Sequence, residues 1–182
     1  MDENELIETR TGGEEIYRGI ILNLLKDTVT LPNGRSASRE YLKHNGAVGI
    51  VAVDAKGRVC VERQYRYPIN EIITEIPAGK RDTPDEDPLE GAKRELREET
   101  GYTADSWRAL GTYYPAAAYS SEKVYLFLAE GLHEGEQELD EGEFLNYEFV
   151  PLSQLVEDVM NDKIPDGKSQ AGILRAAKLL EK

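Results

Sequence analysis

A chain of 182 residues has room for one domain and a small extension, and its Val, Ile, Leu and Tyr content is enough for a packed core. Its formal net charge of −13 excludes recognition of nucleic acid through the phosphate backbone, which needs a basic surface. It does not exclude a phosphate-bearing small molecule, because bound cations supply positive charge locally.

Residues 1–14 are polar and read as frayed. Strands are expected over 16–25 and 28–31, joined around Lys26 and Asp27, with a turn at Pro32-Asn33-Gly34 and a third strand over 36–42 carrying Arg39. The continuous run of small and branched apolar residues over 47–53 predicts a buried central strand. Asp54-Ala55-Lys56-Gly57 predicts a hairpin turn into a partner strand over 58–67, and 71–76 predicts a further strand. Cys60, the single cysteine, lies in an apolar strand, so no internal disulfide exists and a structural thiol is expected. Beyond a helix over 88–100, strands are expected over 106–114, 123–128 and 145–150, with an acidic loop over 134–143 and helices over 153–160 and 169–180. The acidic N-terminus shows no apolar signal region, and no apolar run reaches membrane-spanning length. A reducing cytoplasm is the expected setting, with no membrane and no nucleic-acid partner.

The most informative stretch is 75–102, EIPAGKRDTPDEDPLEGAKRELREETGY. Asp87 and Glu90 have capping-box spacing, Pro88 suits the first helical position, and Gly101 suits a left-handed C-terminal cap. Leu89, Ala92 and Leu96 form an apolar stripe that packs one side of this helix into a core. Glu95, Glu98 and Glu99 share the neighbouring side, since positions i, i+3 and i+4 meet on a helix. An acidic helix face is usually only solvated. Here both helix ends are specified and Glu99 lies close to the apolar stripe, so three carboxylates crowd together on a fixed element. Such a cluster suits a hard cation with oxygen ligands, Mg²⁺ or Mn²⁺, and Mg²⁺ held by few protein groups usually recruits substrate phosphates. Arg94 is one turn from Glu98 and placed to pair with it and fix its orientation.

These residues resemble the signature of the Nudix hydrolases: Gly, five residues, Glu, seven residues, Arg-Glu-aliphatic, one residue, Glu-Glu, one residue, Gly. Glu86, Arg94, Glu95, Leu96, Glu98, Glu99 and Gly101 match it. Two departures stand out: six residues separate Gly79 from Glu86, so that Asp85 is an alternative to Glu86, and the final aliphatic position is Tyr102. Outside the signature, Tyr17-Arg18-Gly19, Arg39-Glu40-Tyr41, His44-Asn45-Gly46-Ala47-Val48, Gln64-Tyr65-Arg66, Glu75-Ile76-Pro77-Ala78-Gly79 and Tyr114-Pro115 with Ser121-Glu122 resemble the ADP-ribose pyrophosphatase branch, so that the likeness covers nearly the whole chain. Pro115 takes the place of that branch's downstream proline, with Tyr114-Pro115-Ala116 where Ser-Pro-Gly is usual.

The resemblance implies an α/β fold, an α/β/α sandwich around a mixed sheet (44–182), preceded by a small antiparallel β extension (1–43). It implies hydrolysis of the diphosphate of a nucleoside diphosphate sugar, ADP-ribose above all, with GDP-mannose, NADH or flavin dinucleotides as alternative substrates and a non-catalytic nucleotide-binding regulator as the alternative class. Glu95, Glu98 and Glu99, helped by the carbonyl of Ala78, would hold two or three Mg²⁺ or Mn²⁺ ions. The general base is expected on the acidic loop, at Glu143 with Glu141 as alternative. Arg39 and Arg66 are candidates for gripping phosphate or ribose, since guanidinium matches phosphate geometry. Tyr17, which would stack on adenine or pack in a core, joins Pro115 and Glu122 as a candidate substrate contact. His44, Trp107, Tyr113 and Tyr114 are expected to serve packing. A homodimer is expected, with the N-terminal strands of each copy helping to complete the partner's substrate site.

Overall fold

The computed structural model describes residues 3–181 and divides into two compact units. The larger comprises Asn45–Pro115 and the chain from Lys123 onward; the smaller comprises the chain up to His44 together with Ala116–Glu122.

The larger unit is an α/β fold around a seven-stranded mixed sheet. Its strands are β4 (Ala47–Val53), β5 (Arg58–Arg66), β6 (Glu71–Glu75), β7 (Ala78–Lys80), β8 (Thr103–Tyr113), β9 (Val124–His133) and β10 (Leu145–Pro151). The main order is β10-β5-β4-β9-β8, with β6 on β5 and β7 on β4. β4 runs parallel to β9, and the other pairs are antiparallel. Strand alternation sends β4 to both faces, so every second residue meets a different layer. Val48, Ile50 and Ala52 pack with Ala92 and Leu96 of α1 (Pro88–Thr100), while Val51 and Val53 pack with Leu155 of α2 (Leu152–Met160) and Ile173 and Ala176 of α3 (Gly167–Leu180). Each fully buried Leu or Ile contributes roughly 1.5–3 kcal/mol through removal from water. The two helical layers are therefore held by two faces of one strand.

Both ends of α1 are specified by side chains the sequence displays. The Asp87 carboxylate accepts the Leu89 and Glu90 backbone N–H groups at 2.8 and 3.3 Å, and Pro88 occupies the first turn. The reciprocal half of a capping box is absent: Glu90 pairs with Lys93 at 2.8 Å instead. Gly101 closes the helix at φ 77°, with its N–H donating to Arg97.

In the smaller unit a 3₁₀ turn over Glu3–Leu6 precedes an antiparallel sheet of β1 (Thr9–Arg18), β2 (Asn23–Thr30) and β3 (Ser36–Leu42). This corrects two expectations. The polar start of the chain is ordered from residue 3, while residues 1 and 2 lie outside the described residues. The first hairpin also turns at residues 19–22 rather than at Lys26-Asp27, with the Gly19 N–H donating to the Leu22 carbonyl at 2.8 Å. The Ile20-Ile21-Leu22 run looks like strand but forms the hairpin tip, with Ile20 98% exposed. Lys26 and Asp27 lie inside β2, where buried Asp27 accepts from the Tyr41 hydroxyl and pairs with Arg10 at 2.9 Å. Residues 116–122 attach here through Leu42, whose N–H donates to Tyr119 and whose carbonyl accepts from Ser121, both at 2.9 Å.

Candidate active site

The stretch preceding α1 is pinned before it reaches the helix. Buried Arg81 donates to the carbonyls of Asn45, Pro84 and Glu86, which shapes the residues between Gly79 and Glu86. Of the two acidic candidates there, Asp85 is exposed, whereas Glu86 accepts from the Asp82 N–H at 2.8 Å and from Arg94 Nε at 3.2 Å. The extra residue is thus absorbed by the loop, and Glu86 keeps its place against Arg94.

Arg94 gathers the acidic face of α1. Its Nη1 donates to Glu95 at 2.9 Å and to Glu98 at 3.0 Å, and its Nη2 donates to the Lys80 carbonyl at 3.3 Å. Burial opposes the Arg94 charge, but the Glu86, Glu95 and Glu98 carboxylates outweigh it and hold the guanidinium above its ordinary pKa. Glu99, 4% exposed, accepts the Ala78 N–H at 2.8 Å, tying β7 to the helix. Gly79, beside Ala78, has no side chain because the Glu95 carboxyl occupies that space: a Cβ there would stand 2.0 Å from Glu95 Cδ.

The acidic loop is anchored to the same helix. The Glu138 N–H donates to the Glu98 carbonyl at 3.0 Å, and Gln137 donates through Nε2 to the Glu99 carbonyl. The loop then returns to the sheet, where Gln64 Nε2 lies 3.5 Å from Glu143 Oε1. Glu141 is exposed.

One carboxylate was not anticipated. Glu62 on β5 is 4% exposed, and its Oε1 is buried without a hydrogen-bond partner. It follows Cys60 by two residues and so shares the face that packs on α1. The available signal was this strand phase, but a Glu at the end of an apolar run also reads as a strand leaving the core. Its cross-strand neighbour Glu75 is buried too, yet Glu75 is clamped by Arg66 at 2.6 and 2.9 Å and by Lys168. Burial alone would raise Glu75, but Arg66 and Lys168 hold its carboxyl below the usual range.

The electrostatics mark the cluster. Burial raises the Glu95 carboxyl to about 7 against the pull of Arg94, with Glu98 and Glu143 adding to the rise. Glu99 is pushed up by burial and by Glu62 and Glu95, and Glu62 by burial, Glu143 and Glu75. Among the described residues no three His, Cys, Asp or Glu side chains converge, as placed, on a point able to hold an ion. Glu95 and Glu98 face Arg94, and Glu99 faces the Ala78 amide. The donor chemistry nevertheless fits a hard dication: Glu62, Glu95, Glu99 and Glu143 repel one another, all offer oxygen, and Glu62 Oε1 lacks any donor.

This constellation has a family. A family model for the Nudix domain matches residues 43–171. The chain belongs to the Nudix family. It is similar to an ADP-ribose pyrophosphatase of Bacillus subtilis, with 38% identity over 92% of this chain and 91% of the relative. It is also 36% identical to an ADP-ribose pyrophosphatase of Mycobacterium tuberculosis, over 88% and 79% of the two chains. A methanol dehydrogenase activator of Bacillus methanolicus is 35% identical over 86% and 85%. Among solved structures, that of an ADP compounds hydrolase superposes with a TM-score of 0.83 over 97% of this chain and 96% of its own at 23% identity, which shows the shared fold. By family and fold the chain is a Nudix hydrolase.

The remaining candidates fall in different places. Arg66 engages Glu75 through Nε and Nη2, leaving Nη1 unused by that pair. Pro115 is exposed at the end of a segment of the larger unit. In the smaller unit, Arg39 is bound to Glu8 through Nε at 2.8 Å and through Nη2. Glu122 donates its backbone N–H to Ser120 Oγ at 3.1 Å. Tyr17 is 57% exposed among the described residues, so the packing alternative for it fails. Of the residues expected to pack, Trp107 meets Phe127 edge-on and Tyr113 lies against the core, but Tyr114 is exposed.

Proposed function

We propose that the chain hydrolyses the diphosphate of ADP-ribose to AMP and ribose 5-phosphate, with divalent cations as cofactor. The observation that carries this reading is the half-buried carboxylate cluster of α1, gathered by Arg94 and faced by Glu143 from an anchored loop. Bound Mg²⁺ or Mn²⁺, two or three ions, would supply Lewis-acid polarisation of the diphosphate and lower the pKa of the attacking water. Glu95, Glu98 and Glu99 with the Ala78 carbonyl would hold them, and Arg94 keeps Glu98 oriented. Glu143 accepts the proton of the water. The water oxygen bonds to one phosphorus, and the bond from that phosphorus to the bridging oxygen breaks, so the bridging oxygen leaves on the other phosphate. Arg66 through Nη1, Pro115 and Glu122 serve as substrate contacts.

The same reading includes a homodimer. Among the described residues of the smaller unit only Asp27 and Val29 are buried, while Ile16, Tyr17, Ile20, Ile21 and Leu22 are exposed. Three strands with so little core need another surface. A second copy, related by a two-fold axis, is the commonest provider. Tyr17 and Arg39 then act toward the partner's substrate, at its adenine end. A cytoplasmic setting fits the free, buried Cys60.

The test is a substrate panel of ADP-ribose, GDP-mannose, NADH, a flavin dinucleotide and nucleoside triphosphates, with products identified and a chelator control. ADP-ribose is expected to be the best substrate, giving equal amounts of AMP and ribose 5-phosphate, with turnover abolished by chelator. ADP-ribose ranking below the triphosphates, or turnover surviving excess chelator, would overturn the proposal. The Bacillus methanolicus relative makes a regulatory role the second reading. Nucleotide binding with no turnover of any panel member would favour it.

A further inference from the structure

Two glutamates stand opposite each other on β5 and β6, both 4% exposed, and the fold treats them differently. Glu75 has Arg66 and Lys168 as cationic partners. Among the described residues Glu62 forms no ion pair, although Lys168 and Arg66 still pull on its charge, and its Oε1 is sealed from water with no donor in reach. A carboxylate buried in this way is destabilising unless something compensates it. A sequence selected only for packing would place Val, Thr or Gln there.

The strand phase fixes where Glu62 points. Cys60, two residues before it, packs with Ala92 and Leu96 of α1. Gln64, two residues after it, reaches Glu143. Glu62 therefore lies on β5 between the helix that carries Glu95 and Glu99 and the loop that carries Glu143. It is the carboxylate that closes this group from the sheet side.

We propose that Glu62 is a further carboxylate of the divalent-cation site, supplying its orphaned oxygen to the ion's coordination or hydration shell from the β5 side. Nothing in the signature of α1 contains this residue. The inference rests on the cation-dependent reading of the site and adds a ligand group from the sheet to those from the helix. Mg²⁺ and Mn²⁺ in such sites keep several waters, and a buried acceptor beside them fixes those waters in place.

The experiment measures Mn²⁺ binding to the full chain without substrate, by paramagnetic resonance of the free ion and by water-proton relaxation, in the wild type, Glu62→Gln and Glu62→Asp. Glu62→Gln keeps the shape and removes the charge, so it should retain the near-ultraviolet circular dichroism of the wild type. Its tightest Mn²⁺ affinity should fall about 10- to 100-fold, the range typical for groups that orient metal ligands. Glu62→Asp keeps the charge with a shorter reach and should lose less. Because Mn²⁺ affinity and relaxation are read without turnover, a merely structural role for Glu62 would leave both unchanged in a folded variant. Should Glu62→Gln not fold, the Asp variant carries the comparison: wild-type affinity there, with an unchanged relaxation signal, overturns the assignment. Wild-type affinity and stoichiometry in a folded Glu62→Gln protein overturns it while leaving the cation-dependent reading intact. A wild-type chain that binds no Mn²⁺ overturns both.

Discussion

At the scale of single residues, the site is a problem of charge. Glu95, titrating at about 7 instead of 4.5, and Glu99 and Glu62, both shifted upward, hold protons in the fold that an unfolded chain releases. Their contribution is fully present below about pH 4.5 and is lost as pH rises, through about 7 for Glu95, about 8 for Glu62 and about 10 for Glu99. Metal-free protein should therefore melt at progressively lower temperature from pH 5 to pH 8, and added Mg²⁺ should recover most of the loss at pH 8 by neutralising the ionised cluster. Thermal melts with chelator and with Mg²⁺ across this range check it, and a metal-free melting point that climbs toward pH 8 would contradict it. The two loop carboxylates separate in the same terms. Glu143 faces Gln64 and starts from a turn closed by its own N–H to Asp140 at 3.0 Å, whereas Glu141 is exposed. Glu143→Gln should lower kcat by about 10²- to 10⁴-fold, the usual contribution of a general base. Glu141→Gln should stay near wild type; the reverse order would move the base to Glu141.

At the scale of elements, α1 is positioned by what touches its ends and its acidic side. β7 passes so close that Ala78 donates to Glu99 and Gly79 leaves room only for the Glu95 carboxyl. Gly79→Ala introduces no left-handed backbone conflict, since Gly79 is not among the residues with positive φ. The new methyl group must displace the flexible end of Glu95 while the strand and helix remain. We expect a folded protein with its melting point within a few degrees of wild type and kcat/KM reduced at least tenfold, read by melting and by initial rates at saturating Mg²⁺. Full activity would show that the Glu95 position is not used. The C-terminal end of α1 has a second task, because the acidic loop docks there: a Cβ on Gly101 would meet the Gly135 carbonyl at 2.6 Å. Glycine at this position thus permits both the helix cap and the loop contact.

At the scale of the whole molecule, Asp27 and Val29 are the buried residues among the described ones of the smaller unit, and its hairpin tip presents Ile20, Ile21 and Leu22 to solvent. Sedimentation at micromolar concentration should give a dimer, and a chain lacking residues 1–43 should lose the dimer and bind ADP-ribose weakly. A monomer with full activity, or normal binding after truncation, would refute this.

The sequence by itself determined α1, its Asp87 and Gly101 caps and its acidic side, though not the partner of Glu90, because helix geometry makes residues three and four apart neighbours whatever surrounds them. It also determined the central strand at 47–53 and the turn at 54–57, where apolar runs and Asp-Gly chemistry are local signals. The first hairpin was misplaced because three consecutive apolar residues look like strand until their environment shows them exposed at a turn. Partner choice was equally hidden: Arg94 gathers Glu86 from eight residues away and Arg66 clamps Glu75 from a neighbouring strand, pairings that depend on which backbones meet. Glu62 is the extreme case. A lone glutamate after Val61 offers only its strand phase as a signal, and only the packing of β5 against α1, with the loop from Glu134 to Glu143 folded back to Gln64, turns it into a buried carboxyl among others. Periodicity encodes which side of an element a residue occupies; the distance and dielectric between residues on different elements arise only when the tertiary structure closes.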